Sequence, residues 1–177
     1  MTGRPRAVLF DRDDTLVDDV PYNGDPALVR PRPGAREALQ TLRAAGLLTA
    51  VVTNQSGVAR GLLTMEQVNQ VNARIEHLLG PLGPWCICPH GPYDGCGCRK
   101  PEPGLILNAA AQLGVSPSDC VVLGDRPKDM EAALNAGARG ILVSPAPPAD
   151  HRSEVQTALY PQVHSLLEAV DMLLHWQ

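Results

Sequence analysis

The sequence has no surplus of basic charge: 15 Lys and Arg stand against 19 Asp and Glu, a formal net charge of −4. Proteins that bind nucleic acid through phosphate attraction carry the opposite balance, so no nucleic-acid partner is expected. Also missing is any apolar run near the roughly 18 to 20 residues of a membrane-spanning helix, and no membrane partner is expected. The opening MTGRPRAVLF is too brief in its apolar part for a secretory signal, which leads to the expectation of a cytoplasmic protein. With 44% hydrophobic and 19% charged residues, the composition excludes a disordered tail and a coiled coil. There is no internal repeat, and 177 residues suffice for one domain with a full core but not for two comfortable ones. Residues 1–177 are therefore expected to form a single domain, and nothing in the chain requires more than a monomer.

The uneven feature is cysteine. Four of the five, Cys86, Cys88, Cys96 and Cys98, fall within thirteen residues. In a reducing compartment, clustered thiolates are more often metal ligands than disulfides. Cys88, His90, Cys96 and Cys98 form C-x-H-x5-C-x-C, three thiolates and an imidazole, a set that fills the tetrahedral shell of a structural Zn²⁺. The loop over about 86–100 contains Gly91, Pro92, Gly95 and Gly97 and has little apolar matter to hold it without a metal. Cys86 is the alternative thiolate, although its place in a short apolar run favours a buried side chain.

Short apolar runs at Ala7–Phe10, Leu48–Val52, Trp85–Cys88, Cys120–Leu123 and Gly140–Val143 read as five buried strands. Helical periodicity fills the intervals: Gly34–Ala45, the stretch after Thr64 with Gln67 in capping-box position, Gly104–Leu113 before Gly114, and Lys128–Ala136 before Gly137. Pro145–Asp150 reads as a surface linker, and apolar positions recur through a final amphipathic helix over about 163–175. Alternation of this kind predicts an α/β fold, a doubly wound three-layer sandwich around a mostly parallel five-stranded sheet. Ligands of such sheets bind beyond the carboxyl ends of the strands.

The residues at those ends are chemically loaded. Asp11-Arg12-Asp13-Asp14-Thr15 follows the first strand, Thr53-Asn54-Gln55-Ser56 the second, and Gly124-Asp125 the fourth; Arg99-Lys100 lies between the third and fourth. Several carboxylates in one crevice repel each other unless a cation joins them. With oxygen donors only, Mg²⁺ is the economical choice, and it brings a phosphate oxygen with it. Lys100 and the hydrogen-bond donors Thr53 and Asn54 suit a phosphoryl group in transfer. Two aspartates spaced by one residue fit two roles: Asp11 as the nucleophile, and Asp13 as the acid that protonates the leaving oxygen and later activates water.

FDRDDT, VVTN, Lys100 and GDRPKDM together resemble the four motifs of the haloacid dehalogenase superfamily of phosphatases, over about residues 7–143. TNQSGVARG and CPH…CGCRKP resemble its small capless subgroup of heptose bisphosphate and histidinol-phosphate phosphatases, the first segment leaning to the heptose side. The resemblance implies Asp11, Asp13 and Asp125 as the Mg²⁺ ligands, Asp13 through its backbone carbonyl. It further implies Thr53 and Lys100 as phosphoryl-stabilising groups, and Asp19, Tyr22, Asn54, Gln55, Ser56 and Arg99 as substrate-binding residues. Asp129 is left between three roles: binding the metal through water, orienting Lys100, or serving as a helix-start carboxylate. The chain departs from the subgroup's pattern at Asp14, where Gly is usual, and at Arg126, where the heptose type has Lys. Asp tolerates the left-handed backbone, so the loop is expected to survive. Without a cap, selectivity would fall to short loops such as 18–25 and 59–64.

The implied activity is Mg²⁺-dependent hydrolysis of a small sugar phosphate, with histidinol phosphate as the alternative substrate. A catalytically silent, zinc-stabilised phosphate-binding domain is the reading from a different class.

Overall fold

The computed structural model describes residues 3–144 and 159–176; the linker expected at 145–150 lies outside them. The strands are β1 (Ala7–Phe10), β2 (Leu48–Asn54), β3 (Trp85–Cys88), β4 (Cys120–Gly124), β5 (Arg139–Val143) and β6 (Gln162–Val163). All neighbouring strands pair in parallel, in the order β3-β2-β1-β4-β5-β6. The helices are α1 (Ala35–Ala44), α2 (Met65–Leu79), α3 (Gly104–Leu113), α4 (Pro127–Asn135) and α5 (Leu166–Leu174).

Alternation along the central strand divides the core into two layers. Val8 and Phe10 of β1 face Leu39 and Leu42 of α1, Ile75 and Leu79 of α2, and Val170 and Leu173 of α5. Ala7 and Leu9 face the opposite layer, with Ile106 and Ala109 of α3 and Met130 and Ala133 of α4. Both faces of β1 are therefore dry, which is why it reads as an unbroken apolar run.

The sheet has six strands rather than the expected five. The extra strand, β6, is two residues long and runs beside Leu142 and Val143. Its Val163 shares the 3.6-residue period of the helix that follows, so periodicity absorbed it. Helix α5 begins only after Ser165, whose Oγ accepts the Glu168 N–H at 3.2 Å, a side-chain cap that ends the extended segment. At α2 the capping box is present as read: Thr64 Oγ1 accepts from Gln67 N at 3.1 Å, and Thr64 N donates to Gln67 Oε1 at 2.9 Å.

Beyond β1 the chain makes a turn in which Leu16 N and Val17 N both donate to Arg12 O. Isolated bridges join Asp13 to Val17 and Val17 to Pro31. This folds residues 18–31 back over the carboxyl end of the sheet, where the crevice lies.

Candidate active site

Register explains why distant residues meet. Phe10 pairs with Val51 on one side and Leu123 on the other, so Asp11, Thr53 and Asp125 emerge together at the centre of the sheet edge. The Asp11 N–H still donates to Leu123 O at 2.8 Å, fixing the first residue of the loop to β4. A cleft of about 310 Å³ opens there, and Asp11, Asp13, Asp19 and Tyr22 are among its lining residues, as are Asn54, Gln55, Ser56 and Lys100.

Asp11, Asp125 and Asp129 each place a carboxylate oxygen within 4.8 Å of the others. Asp125 Oδ1 is buried and has no hydrogen-bond partner. Burial first, and then the neighbouring Asp11 and Asp129, push the Asp125 carboxyl up to about 7. An orphaned, buried oxygen facing two more carboxylates is the donor set of a hard divalent cation, and the residues fit one.

Lys100 is the counter-charge, 2% exposed. Its Nζ donates to Asp11 Oδ1 at 2.8 Å and to Val52 O at 2.9 Å, and lies 2.6 Å from Asp129 Oδ1. Burial alone would lower its pKa, but Asp11 and Asp129 outweigh that and raise it, so the ammonium stays charged. Asp129 has two of the roles left open for it: it pairs with Lys100, and its Oδ2 accepts the Arg126 N–H at 3.1 Å at the start of α4. Lys100 and Lys128 are the only lysines in the chain, and Lys128 also lines the cleft.

The Asp13 side chain stands apart from the three-carboxylate cluster. Arg12 forks onto it, Nε to Oδ1 at 2.9 Å and Nη2 to Oδ2 at 3.1 Å, and Gln55 Nε2 donates to Oδ2 at 2.9 Å. The same Gln55 amide donates to Thr53 Oγ1 at 3.0 Å. Asn54 lies on the cleft wall with its amide engaged by the Lys100 backbone: Nδ2 donates to Lys100 O and Oδ1 accepts from Lys100 N, both at 3.2 Å. Arg99 is not among the lining residues of this cleft; its Nη1 donates to His90 O at 3.1 Å. Asp14 takes the left-handed conformation at φ 57°. Its carboxylate accepts the Asp19 N–H at 3.2 Å and lies 3.8 Å from Arg126 Nη2.

Cys88, His90, Cys96 and Cys98 converge in the loop that carries Lys100. The Cys88–Cys96 and Cys96–Cys98 sulfurs are 3.8 and 3.6 Å apart, and His90 Nδ1 is 3.6 Å from Cys88 Sγ and 3.3 Å from Cys98 Sγ. A tetrahedron with metal–sulfur bonds of about 2.3 Å has edges of about 3.8 Å, so the four atoms already stand at the corners of a zinc site. Cys86 is buried against α3, where Gln112 Nε2 lies 3.5 Å from its sulfur, and it does not join the four.

Arg12, Asn72, Arg126 and Lys128 were not foreseen as site residues. Asn72 had a legible signal, an amide on the apolar stripe of α2 between Val68 and Ile75. The others depend on where the loops lie.

The fold and the cleft fit a hydrolase, and the comparisons agree. The profile of the haloacid dehalogenase-like hydrolases matches residues 22–137, and the chain belongs to that family. It is 40% identical over 147 residues to the D-glycero-beta-D-manno-heptose-1,7-bisphosphate 7-phosphatase of Pseudomonas putida, covering 78% of this chain and 82% of that one. It is likewise 40% identical over 141 residues to the enzyme of the same name from Pseudomonas aeruginosa, covering 77% and 79%. Among solved structures it is similar to the D,D-heptose 1,7-bisphosphate phosphatase of B. bronchiseptica, a complex with magnesium and phosphate, at a TM-score of 0.81 and 27% identity over 96% of this chain and 98% of that one.

Proposed function

We propose that this protein is a Mg²⁺-dependent phosphatase that removes one phosphate from a heptose 1,7-bisphosphate through an aspartyl-phosphate on Asp11. The observation that carries the proposal is the site geometry: Asp11 sits with the Lys100 ammonium at 2.8 Å and two further carboxylates, buried Asp129 and half-buried Asp125. The relatives at 40% identity supply the substrate class.

In the first half-reaction a carboxylate oxygen of Asp11 bonds to phosphorus and the phosphorus–oxygen ester bond breaks. The departing oxygen takes the Asp13 carboxyl proton and leaves as the sugar hydroxyl. In the second half-reaction water gives a proton to Asp13 and attacks phosphorus. The bond to Asp11 breaks, and inorganic phosphate is released with both carboxyl groups restored. Lys100 and the Thr53 hydroxyl stabilise the phosphoryl oxygens as charge shifts between them. Asp11, Asp125 and the Asp13 carbonyl would hold the Mg²⁺, which when bound supplies charge neutralisation to the phosphoryl group. Tyr22 and Asp19, on the loop folded over the cleft, and Gln55 and Ser56 on its wall bind the sugar; Asn54 contributes by clamping the backbone of Lys100. A Zn²⁺ on Cys88, His90, Cys96 and Cys98 would fix the loop that delivers Lys100. All of these groups come from one chain, so the protein acts as a monomer and as a single hydrolase domain. No helix among the described residues is long and apolar enough to cross a membrane.

Phosphate release tests the proposal with heptose 1,7-bisphosphate, histidinol phosphate and 4-nitrophenyl phosphate, each with and without Mg²⁺. The expected outcome is Mg²⁺-dependent turnover with the heptose ester preferred. Preference for histidinol phosphate would replace the substrate, and no turnover of any ester would leave the silent binding domain.

A further inference from the structure

Arg12 is 3% exposed, and all three of its guanidinium nitrogens are engaged. Two hold Asp13, and Nη1 donates to Asn72 Oδ1 at 3.0 Å. Asn72 lies in the middle of α2, 5% exposed, and its Nδ2 is buried with no hydrogen-bond partner. A buried amide with an unpaired donor costs stability, and an apolar side chain on this stripe would avoid that cost. What Asn72 contributes is the acceptor oxygen that fixes Arg12.

Counting lone pairs on Asp13 shows what Arg12 then does. A carboxylate oxygen has about two acceptor sites. Oδ2 receives Arg12 Nη2 and Gln55 Nε2, which fills both; Oδ1 receives only Arg12 Nε. One site is left, and it is on Oδ1 of a side chain that is 27% exposed and lines the cleft. We propose that Asn72 and Arg12 are positioning residues for proton transfer: the Arg12 fork holds both oxygens of Asp13 and, with Gln55, fills Oδ2, so that the one open site, on Oδ1, gives and takes back the proton. This inference rests on the assignment of Asp13 as the acid and base.

Leaving-group chemistry isolates the effect. Proton delivery matters little when a nitrophenolate departs and greatly when an alkoxide does. Because kcat/KM reads the steps through loss of the leaving group, it falls more steeply with leaving-group basicity when delivery is impaired. The substrates are 4-nitrophenyl, phenyl and 4-methoxyphenyl phosphate, with glycerol phosphate as the alkyl ester. The proteins are the unmodified chain, Asn72→Leu, Asn72→Asp, Arg12→Lys and Asp13→Asn.

Asn72→Leu is expected to lower kcat/KM about tenfold on the alkyl ester and about twofold on the nitrophenyl ester, short of the roughly 10²–10⁴ typical of removing a general acid outright. Arg12→Lys keeps the charge, loses the fork and steepens the series further. Asn72→Asp keeps the acceptor oxygen and restores the original slope. Equal losses across the series in Asn72→Leu and Arg12→Lys, or failure of Asn72→Asp to restore the slope, overturn the proposal while a steep series in Asp13→Asn leaves the acid–base reading standing. A flat series in Asp13→Asn overturns that reading and the proposal with it. If Arg12→Lys does not fold, the two Asn72 variants decide the matter alone.

Discussion

Asp125 ties stability to pH and, on the proposed function, to Mg²⁺. Its folded-state pKa of about 7 lies above the ordinary 3.8 because of burial and the charges of Asp11 and Asp129. Between those two values the native state holds more protons than the unfolded chain, so this group's contribution falls as pH rises and is lost above about 7. At about 1.4 kcal/mol per pKa unit the effect is on the order of 2–4 kcal/mol. Without added Mg²⁺, Asp125→Asn is therefore expected to be more stable than the unmodified protein at pH 8 and close to it at pH 5, which urea unfolding at the two pH values checks. Adding Mg²⁺ should stabilise only the unmodified protein appreciably. On the proposed mechanism Asp11→Asn removes the nucleophile and should lower turnover by at least about 10³-fold with the fold intact; activity near that of the unmodified protein would rule Asp11 out. Asp11, Thr53 and Asp125 were legible in the sequence because each follows an apolar run, and a strand end announces its own position. The Arg12–Asn72 bond joins residues sixty positions apart. Seeing it needs the rotation of α2 against the sheet, which no local pattern encodes.

At the scale of elements, the Cys/His loop proposed to hold zinc and α3 depend on one close approach. The Gly104 N–H donates to Gly97 O at 2.9 Å, and a Cβ on Gly104 would overlap that carbonyl and lie 2.9 Å from Cys98 Cα. Both obstacles are backbone, so they yield only if the loop moves. Gly104→Ala is expected to cost about 1–3 kcal/mol in overpacking and to displace Cys98, lowering bound zinc measured by elemental analysis. Because Lys100 follows Cys98 by two residues, activity should fall with zinc content. Cys98→Ser reaches the same state by removing a ligand, and full zinc occupancy in that variant would show that the four-residue set is wrongly assigned. The convergence of Cys88, His90, Cys96 and Cys98 was readable from the sequence because all four fall within eleven residues. The hydrogen bond from Arg99 to His90 O was not legible, since it depends on how the loop folds. The missed strand β6 has the same origin: two residues beside β5 leave no period of their own.

Across the whole molecule, the two core layers divide labour. The layer with α3 and α4 carries the Cys/His loop and Asp129, while the layer with α1 and α5 closes the opposite face, and its helix α2 meets the cleft through the Asn72–Arg12 bond. Leu173 of α5 is fully buried in that second layer, against α1 and far along the helix from the Ser165 cap. Leu173→Ala is expected to cost about 2–5 kcal/mol, seen as a lower urea midpoint with an unchanged slope. Below the unfolding transition, kcat and KM for 4-nitrophenyl phosphate should match those of the unmodified protein, because Leu173 is buried in an apolar cluster and is not a lining residue of the cleft. A fall in kcat at full foldedness would mean that α5 acts on the cleft through β5 and β6, and that the two layers are mechanically coupled. The separation follows from the parallel sheet itself, which gathers the reacting groups at one edge and leaves its two faces to hold them there.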